Sequence, residues 1–264
     1  MLTQVNDISL AFNDQGTGLP LVFLHAFPLN RTMWDDQENA LSSQFRVITI
    51  DLRGHGESDA PLWHYSLDQA ADDVHSLLDH LSIRQAVLIG LSMGGYVAFA
   101  FYRKYAARVR GLVLADTRAQ ADTEDGKRAR FEMAQIAYKQ GPSAIADIML
   151  PKLLSPTTIQ TRPELVQRVR TMIEGNQVSG IAGDLMAMAE RADSRPLLTQ
   201  ISCPTQIIVG ELDVPTPPSD AQLMADRIPH ARLAVIPRAG HLSNLEQPEP
   251  FNQAILSLVL TLPR

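Results

Sequence analysis

The stretch Val87-Leu88-Ile89-Gly90-Leu91-Ser92-Met93-Gly94-Gly95-Tyr96-Val97 decides how this chain is read. An apolar, β-branched run breaks at Gly-x-Ser-x-Gly and resumes over residues 98–105 as a sequence compatible with a helix. Glycines on both sides of Ser92 permit a sharp turn and let strand and helix approach with no Cβ between them. Such a turn holds the serine hydroxyl at the carboxyl edge of a sheet, beside a helix N-terminus that favours negative charge. The five-residue pattern alone is common. Its place between strand and helix gives it meaning.

Around that turn, strand-like and helix-like segments alternate. Residues 21–24, 46–50, 86–89, 111–114, 206–209 and 233–236 are short apolar runs rich in Val and Ile, as expected of parallel strands covered on both faces. Residues 3–5 and 8–13 read as an initial hairpin. Leu67, Ala71, Val74, Leu78 and Leu81 recur at spacings of three and four, which predicts an amphipathic helix over residues 66–81 with Ser66 as N-cap. Residues 219–227 and 250–260 read as helices too. Alternation of this kind implies a doubly wound, mostly parallel α/β sheet, whose ligands bind outside the carboxyl ends of the strands.

The alternation fails over residues 118–196. That stretch is rich in Ala, Met, Leu, Gln and Glu, and helices are expected at 125–139, 143–149, 163–175 and 178–191. The expected organisation is a core of residues 1–117 and 197–264 with a helical cap, 118–196, inserted as part of one domain.

Composition excludes several classes. The 264 residues are 45% hydrophobic and 20% charged, with a net charge of −6. No basic face is expected, hence no nucleic-acid partner. The single cysteine, Cys203, rules out an internal disulfide framework and fits a reducing compartment. No signal peptide is visible, and no run reaches the roughly 18 uncharged apolar residues of a membrane span. A cytoplasmic protein with no membrane partner is expected.

A serine hydroxyl needs a base, and the base needs a group to orient it. Asp213 follows the run 206–209 in Gly210-Glu211-Leu212-Asp213, and His241 follows the run 233–236 in Pro237-Arg238-Ala239-Gly240-His241. The chain order Ser92, Asp213, His241 is that of a serine–acid–histidine triad on an α/β sheet. Asp116, after the run 111–114, competes with Asp213; as the loser it would be a polar residue beginning the cap. His25 and His55 read as structural, and His64, His75, His80 and His230 as solvent-exposed. His25, His55 and His241 are scattered singly, without close pairs at metal-ligand spacing, so neither a metal site nor a cofactor is expected. Cys203 reads as a packed or inert thiol.

Two more segments complete a resemblance that covers nearly the whole chain. Leu24-His25-Ala26-Phe27-Pro28 resembles a His-Gly-x-Pro turn, and Asp51-Leu52-Arg53-Gly54-His55-Gly56-Glu57-Ser58 resembles an Asp-x-Arg-Gly-x-Gly-x-Ser loop. With the serine turn and the two acid and histidine loops, they are similar to the α/β-hydrolase fold family, in the branch with a helical cap after the sixth strand. Within it the chain looks most like carboxylesterases and 3-oxoadipate enol-lactonase-type enzymes. The resemblance implies an oxyanion hole from the backbone N–H groups of Phe27 and Met93, and makes Phe27-Pro28 a candidate cis bond. Ala26 stands where the family has glycine; a positive φ there would strain alanine by about 1 kcal/mol. Relatives that cleave carbon–halogen bonds or epoxides carry aspartate at the turn, and serine here points to carbonyl chemistry.

The expected activity is hydrolysis of small apolar carboxylic esters or lactones through an acyl-enzyme. Alternatives are an enol-lactonase-like or C–C bond hydrolase, a perhydrolase, and a small-ligand receptor with slow turnover. Trp34, Met149, Leu185 and Met188 are the expected substrate contacts, from residues 148–150 and 183–188 and the aromatics Phe27, Trp34 and Trp63. An acidic substrate would need a cation, for which Arg118, Lys127 and Arg191 are candidates. Arg53 is expected to stabilise its own loop.

Overall fold

The computed structural model describes residues 1–62 and 65–262; Trp63 and His64, both assigned roles above, lie outside the described residues. The strands β1 (Leu2–Val5), β2 (Ile8–Gln15), β3 (Pro20–Leu24), β4 (Arg46–Ile50), β5 (Ala86–Leu91), β6 (Val109–Ala115), β7 (Thr205–Gly210) and β8 (Arg232–Ile236) form one eight-stranded sheet. Its order is β1-β2-β4-β3-β5-β6-β7-β8. β2 pairs antiparallel with β1 and β4, and every later pairing is parallel. This is the mostly parallel α/β sheet expected from the alternation.

Helices α1 (Asp35–Leu41), α2 (Leu67–His80) and α3 (Met93–Tyr105) alternate with the early strands. Ser66 caps α2 in a reciprocal capping box with Gln69, which satisfies two donors that a helix start otherwise leaves unpaired. α2 packs on α3 and α3 on β5. All six residues of β5 are buried, because alternate side chains enter the cores on both faces of the sheet. β8 departs from that expectation. It is an edge strand, with Arg232 and Val235 exposed.

Between β6 and β7 the chain builds α4 (Glu124–Gln140), α5 (Pro142–Leu153), α6 (Pro156–Thr161), α7 (Pro163–Glu174) and α8 (Val178–Ala189). The sequence pattern missed α6, whose six residues are too few to show a helical period. It also stopped α5 early, whereas the helix runs on through Pro151 to bury Leu150 and Leu153. α9 (Pro218–Arg227), α10 (Ser243–Glu246) and α11 (Pro248–Val259) follow the last strands. No helix among the described residues is long and apolar enough to cross a membrane.

The register aligns the carboxyl ends of the central strands. Leu24 pairs with Gly90, Leu91 with Ala115, Ala115 with Ile208, and Gly210 with Ile236. The loops that carry Ser92, Asp116, Asp213 and His241 therefore leave the sheet side by side.

Candidate active site

Ser92 is the hinge between β5 and α3, at φ 54° and ψ −112°. The left-handed backbone falls on the serine itself and not on its flanking glycines. Those glycines serve close approach. A Cβ on Gly90 would lie 2.3 Å from Gly94 O, and one on Gly94 only 2.0 Å from Leu24 O. Ser92 N–H donates to Ala115 O at 2.9 Å and Thr117 Oγ1 donates to Ser92 O at 2.8 Å, so β6 and its loop hold the turn in place.

Three loops then converge. Ser92 Oγ lies 2.8 Å from His241 Nε2, and His241 Nδ1 lies 2.9 Å from each carboxylate oxygen of Asp213. A carboxylate only accepts, so Nδ1 carries the proton and Nε2 is left free to accept from the serine hydroxyl. His241 and Asp213 are buried and Ser92 is half-buried. Thr216, which the sequence reading passed over, completes the arrangement. Its N–H donates to Asp213 Oδ1 at 3.0 Å and its hydroxyl to Oδ2 at 2.7 Å. The available signal was its place three residues after an aspartate, where turns of this kind close.

Asp116 does not begin the inserted helices as a surface polar group. It is fully buried, accepts Gly210 N–H at 2.7 Å, and accepts the Ser243 hydroxyl through its other oxygen. Burial, and after it the charge of Asp213, push its carboxyl well above the usual range. Asp116 thus braces the strand end from which the Asp213 loop departs. The His241 ring pairs with Asp213 instead.

The turn at residues 24–28 settles the question over Ala26. Its φ is not positive, and its N–H points at Met33 Sδ at 3.3 Å, so alanine is unstrained there. The Phe27-Pro28 bond is cis. Met93 opens α3, where a backbone N–H has no acceptor within the helix. His25 is buried, with Nε2 accepting Leu52 N–H at 3.0 Å. His55 lies 3.2 Å from Asp184 of α8. His75, expected in solvent, is half-buried and stacks on Tyr105 at 4.0 Å. Arg53 reaches beyond its own loop to Asp73 of α2, Nε to Oδ2 at 2.7 Å. Burial pushes the Cys203 thiol up to about 11.

A cavity of about 100 Å³ opens on Ser92 and His241. Of the expected contacts, Phe27, Met149 and Met188 line it. Leu185 does not; it is buried in the packing of α8. Trp34 does not either. Its ring is wholly buried between Phe23 and Phe251, at 5.1 and 6.0 Å, because the turn at Arg31–Trp34 faces β3 and α11. The cavity is also lined by Tyr96, Pro215, Thr216 and two arginines, Arg118 and Arg130. Arg118 was among the candidate cations and Arg130 was not. Lys127 pairs with Glu124 at 2.7 Å on the exposed side of α4, and Arg191 lies 4.3 Å over the Tyr96 ring in the neighbouring cavity.

Comparison with known proteins gives the family. Residues 20–248 match the family model for the alpha/beta hydrolase fold, and the chain belongs to that family. It is 35% identical to 3-oxoadipate enol-lactonase 2 of Acinetobacter baylyi, over 89% of this chain and 86% of the relative. A malate-bound thermophilic esterase from Thermogutta terrifontis superposes with a TM-score of 0.93 at 46% identity, covering 95% of this chain and 92% of the other. The enol-lactonase of Burkholderia xenovorans superposes with a TM-score of 0.93 at 29% identity, covering 98% and 100%.

Proposed function

We propose that this member of the alpha/beta hydrolase family is a serine hydrolase that cleaves small carboxylic esters or lactones through an acyl-enzyme. The hydrogen-bonded chain from Ser92 Oγ through His241 to Asp213 carries the reading, since acyl transfer needs a base within reach of the serine hydroxyl and a carboxylate to orient that base. Esterases and enol-lactonases among the similar proteins support the same chemistry.

In this reading Ser92 Oγ attacks the substrate carbonyl while His241 Nε2 takes its proton. Asp213 holds the ring in the right tautomer and stabilises the imidazolium, and Thr216 keeps the carboxylate aimed. The N–H groups of Phe27 and Met93 receive the developing oxyanion. The tetrahedral intermediate collapses, the C–O bond breaks, and the alcohol leaves with the proton from His241. Water then gives its proton to His241 as it attacks the acyl-enzyme; the bond to Ser92 Oγ breaks, His241 returns the proton to that oxygen, and the acid leaves. Helices α4 to α8 act as a lid, bringing Met149, Met188 and Arg130 over the cavity. The free Cys203 supports work in the reducing cytoplasm.

The experiment is steady-state hydrolysis of a series of alkyl esters and lactones by wild type and Ser92→Ala. The variant is expected to lose a factor on the order of 10⁶ in kcat. Retention of most of the activity would overturn the mechanism.

A further inference from the structure

The turn that carries the Phe27 N–H is held by a residue far from it in sequence and outside the cavity on Ser92. Asn176 stands at the junction of α7 and α8 and is buried. Its Nδ2 donates to Pro28 O at 2.7 Å, with Met172 O at 3.0 Å and Leu29 O at 3.4 Å, and its Oδ1 accepts Gly56 N–H at 2.8 Å. The amide can face only this way. Reversed, its oxygen would meet three carbonyls and its NH2 group an N–H.

Peptide groups pass that contact onward. Pro28 O and Leu29 N belong to one peptide group, and Leu29 N–H donates to Ala26 O at 2.8 Å. Ala26 O and Phe27 N belong to another, whose N–H has no acceptor among the described residues. A donor at a carbonyl oxygen polarises its peptide group and strengthens the N–H at the other end, and successive hydrogen bonds of this kind reinforce one another. His25 acts on the same carbonyl. Its Nε2 accepts Leu52 N–H, so Nδ1 carries the proton that it donates to Ala26 O at 3.0 Å. Asn176 is itself fixed in place. Gly180, in the first turn of α8, lies so close to the loop after β4 that a Cβ on it would stand 1.8 Å from Gly54 O.

We propose that Asn176 is a positioning residue for the oxyanion hole: from the inserted helices it aims and polarises the Phe27 N–H through the Pro28–Leu29 peptide group. The proposal rests on the reading in which Phe27 N–H receives the oxyanion formed when Ser92 attacks. Asn176 does not line the cavity, so its loss acts on the transition state and not on substrate binding.

The test measures hydrolysis of p-nitrophenyl butanoate, and inhibition by butyl trifluoromethyl ketone, in wild type, Ser92→Ala, Asn176→Ala, Asn176→Leu and Ser179→Ala. Ser92 Oγ adds to the ketone carbon, the carbonyl electron pair becomes an oxyanion in the hole, and His241 holds the serine proton. The secondary alcohol made by reducing the ketone has the same chain but no carbonyl to attack. Both Asn176 variants are expected to lose about 10- to 100-fold in kcat, less than deleting a donor outright, with KM within about threefold. The ketone-to-alcohol ratio of Ki should rise in step with that loss. Asn176→Leu keeps the side-chain volume, and a ratio taken within one variant does not depend on how much of the protein is folded. Ser179 ties α8 to Ala60 O at 3.2 Å and not to the turn, so Ser179→Ala should keep the wild-type ratio. A wild-type ratio in the Asn176 variants, whether or not kcat falls, overturns the proposal while Ser92-dependent hydrolysis stands, and so does an equal rise in Ser179→Ala. A wild type that binds ketone and alcohol alike, or hydrolysis that persists in Ser92→Ala, overturns the reading beneath it, and the proposal falls with it.

Discussion

Glu246 accepts the backbone N–H of Gly240, the residue before His241, at 2.7 Å. Its second carboxylate oxygen accepts the N–H of Ser155 at 3.0 Å, together with the Ser155 hydroxyl, at the junction of α5 and α6. One buried side chain therefore ties the histidine loop to the inserted helices, and Leu242 N–H, bonded to Leu153 O at 3.0 Å, repeats the tie one step along. Glu246→Ala strands the buried N–H groups of Gly240 and Ser155, leaves the Ser155 hydroxyl only Thr158, and is expected to cost roughly 3 kcal/mol of stability. Because it also releases the His241 loop, kcat should fall further than KM rises. Ser155→Ala leaves the Gly240 and Ser155 N–H bonds intact and removes a helix cap and the hydroxyl's bond to Glu246, a loss of about 1–2 kcal/mol. Urea unfolding and steady-state kinetics on both variants make the comparison; wild-type kcat in Glu246→Ala would refute the coupling.

The two buried aspartates have separate roles that substitution can distinguish. Asp213→Asn is expected to lower kcat by about 10⁴, since the amide no longer stabilises the imidazolium and favours the wrong tautomer. Asp116→Asn keeps an oxygen for Gly210 N–H and does not touch the ring, so kcat should stay within about tenfold. Equal losses in the two variants would count against the assignment.

Asp116 also carries a pH signature. Its carboxyl is raised by burial and by the charge of Asp213, so the folded protein holds that proton more tightly than the unfolded chain, where aspartate titrates near about 3.9. The stability it contributes is complete below about pH 4 and is lost as pH rises through the folded value. Asp116→Asn removes this dependence. Its Tm relative to wild type should therefore climb as pH increases from acid to neutral; a constant difference would show that the carboxyl is not raised.

Gly94 is a site of contact and not of flexibility. Alanine there sets a Cβ 2.0 Å from Leu24 O, a backbone atom that cannot swing aside. Gly94→Ala is expected to cost upwards of about 3 kcal/mol, or to prevent folding. Gly141→Ala makes a useful control, because a Cβ there meets nothing within 4 Å and only the positive φ of 78° opposes it. Thermal melts of the two variants read the difference directly.

Met149 lines the cavity from α5 and is only partly buried. Met149→Ala should lengthen the chamber and raise the hexanoate-to-butyrate ratio in kcat/KM by about tenfold, the range for a methylene or two in an apolar pocket. An unchanged profile would place the acyl chain elsewhere.

The candidate site was legible in the sequence because its side chains stand in short loops whose positions follow from the strand order. Ser92, Asp213 and His241 each sit just past a recognisable strand, and parallel pairing in register brings such loops together without further information. Local pattern also located most helices, since a 3.6-residue period survives in any amphipathic segment of adequate length. Only the tertiary structure showed that Trp34 belongs to the core, that Asp116 braces the site from beneath, and that Thr216 and Glu246 hold the triad's loops. These roles depend on contacts across as many as 217 residues of chain (Trp34 with Phe251), which no local pattern records. The same holds for Arg118 and Arg130. Their spacing resembles that of any surface charge; Arg118 stands on the loop after β6, one residue past the Thr117 that holds Ser92 O, and Arg130 lines the cavity from α4, which packs on α8.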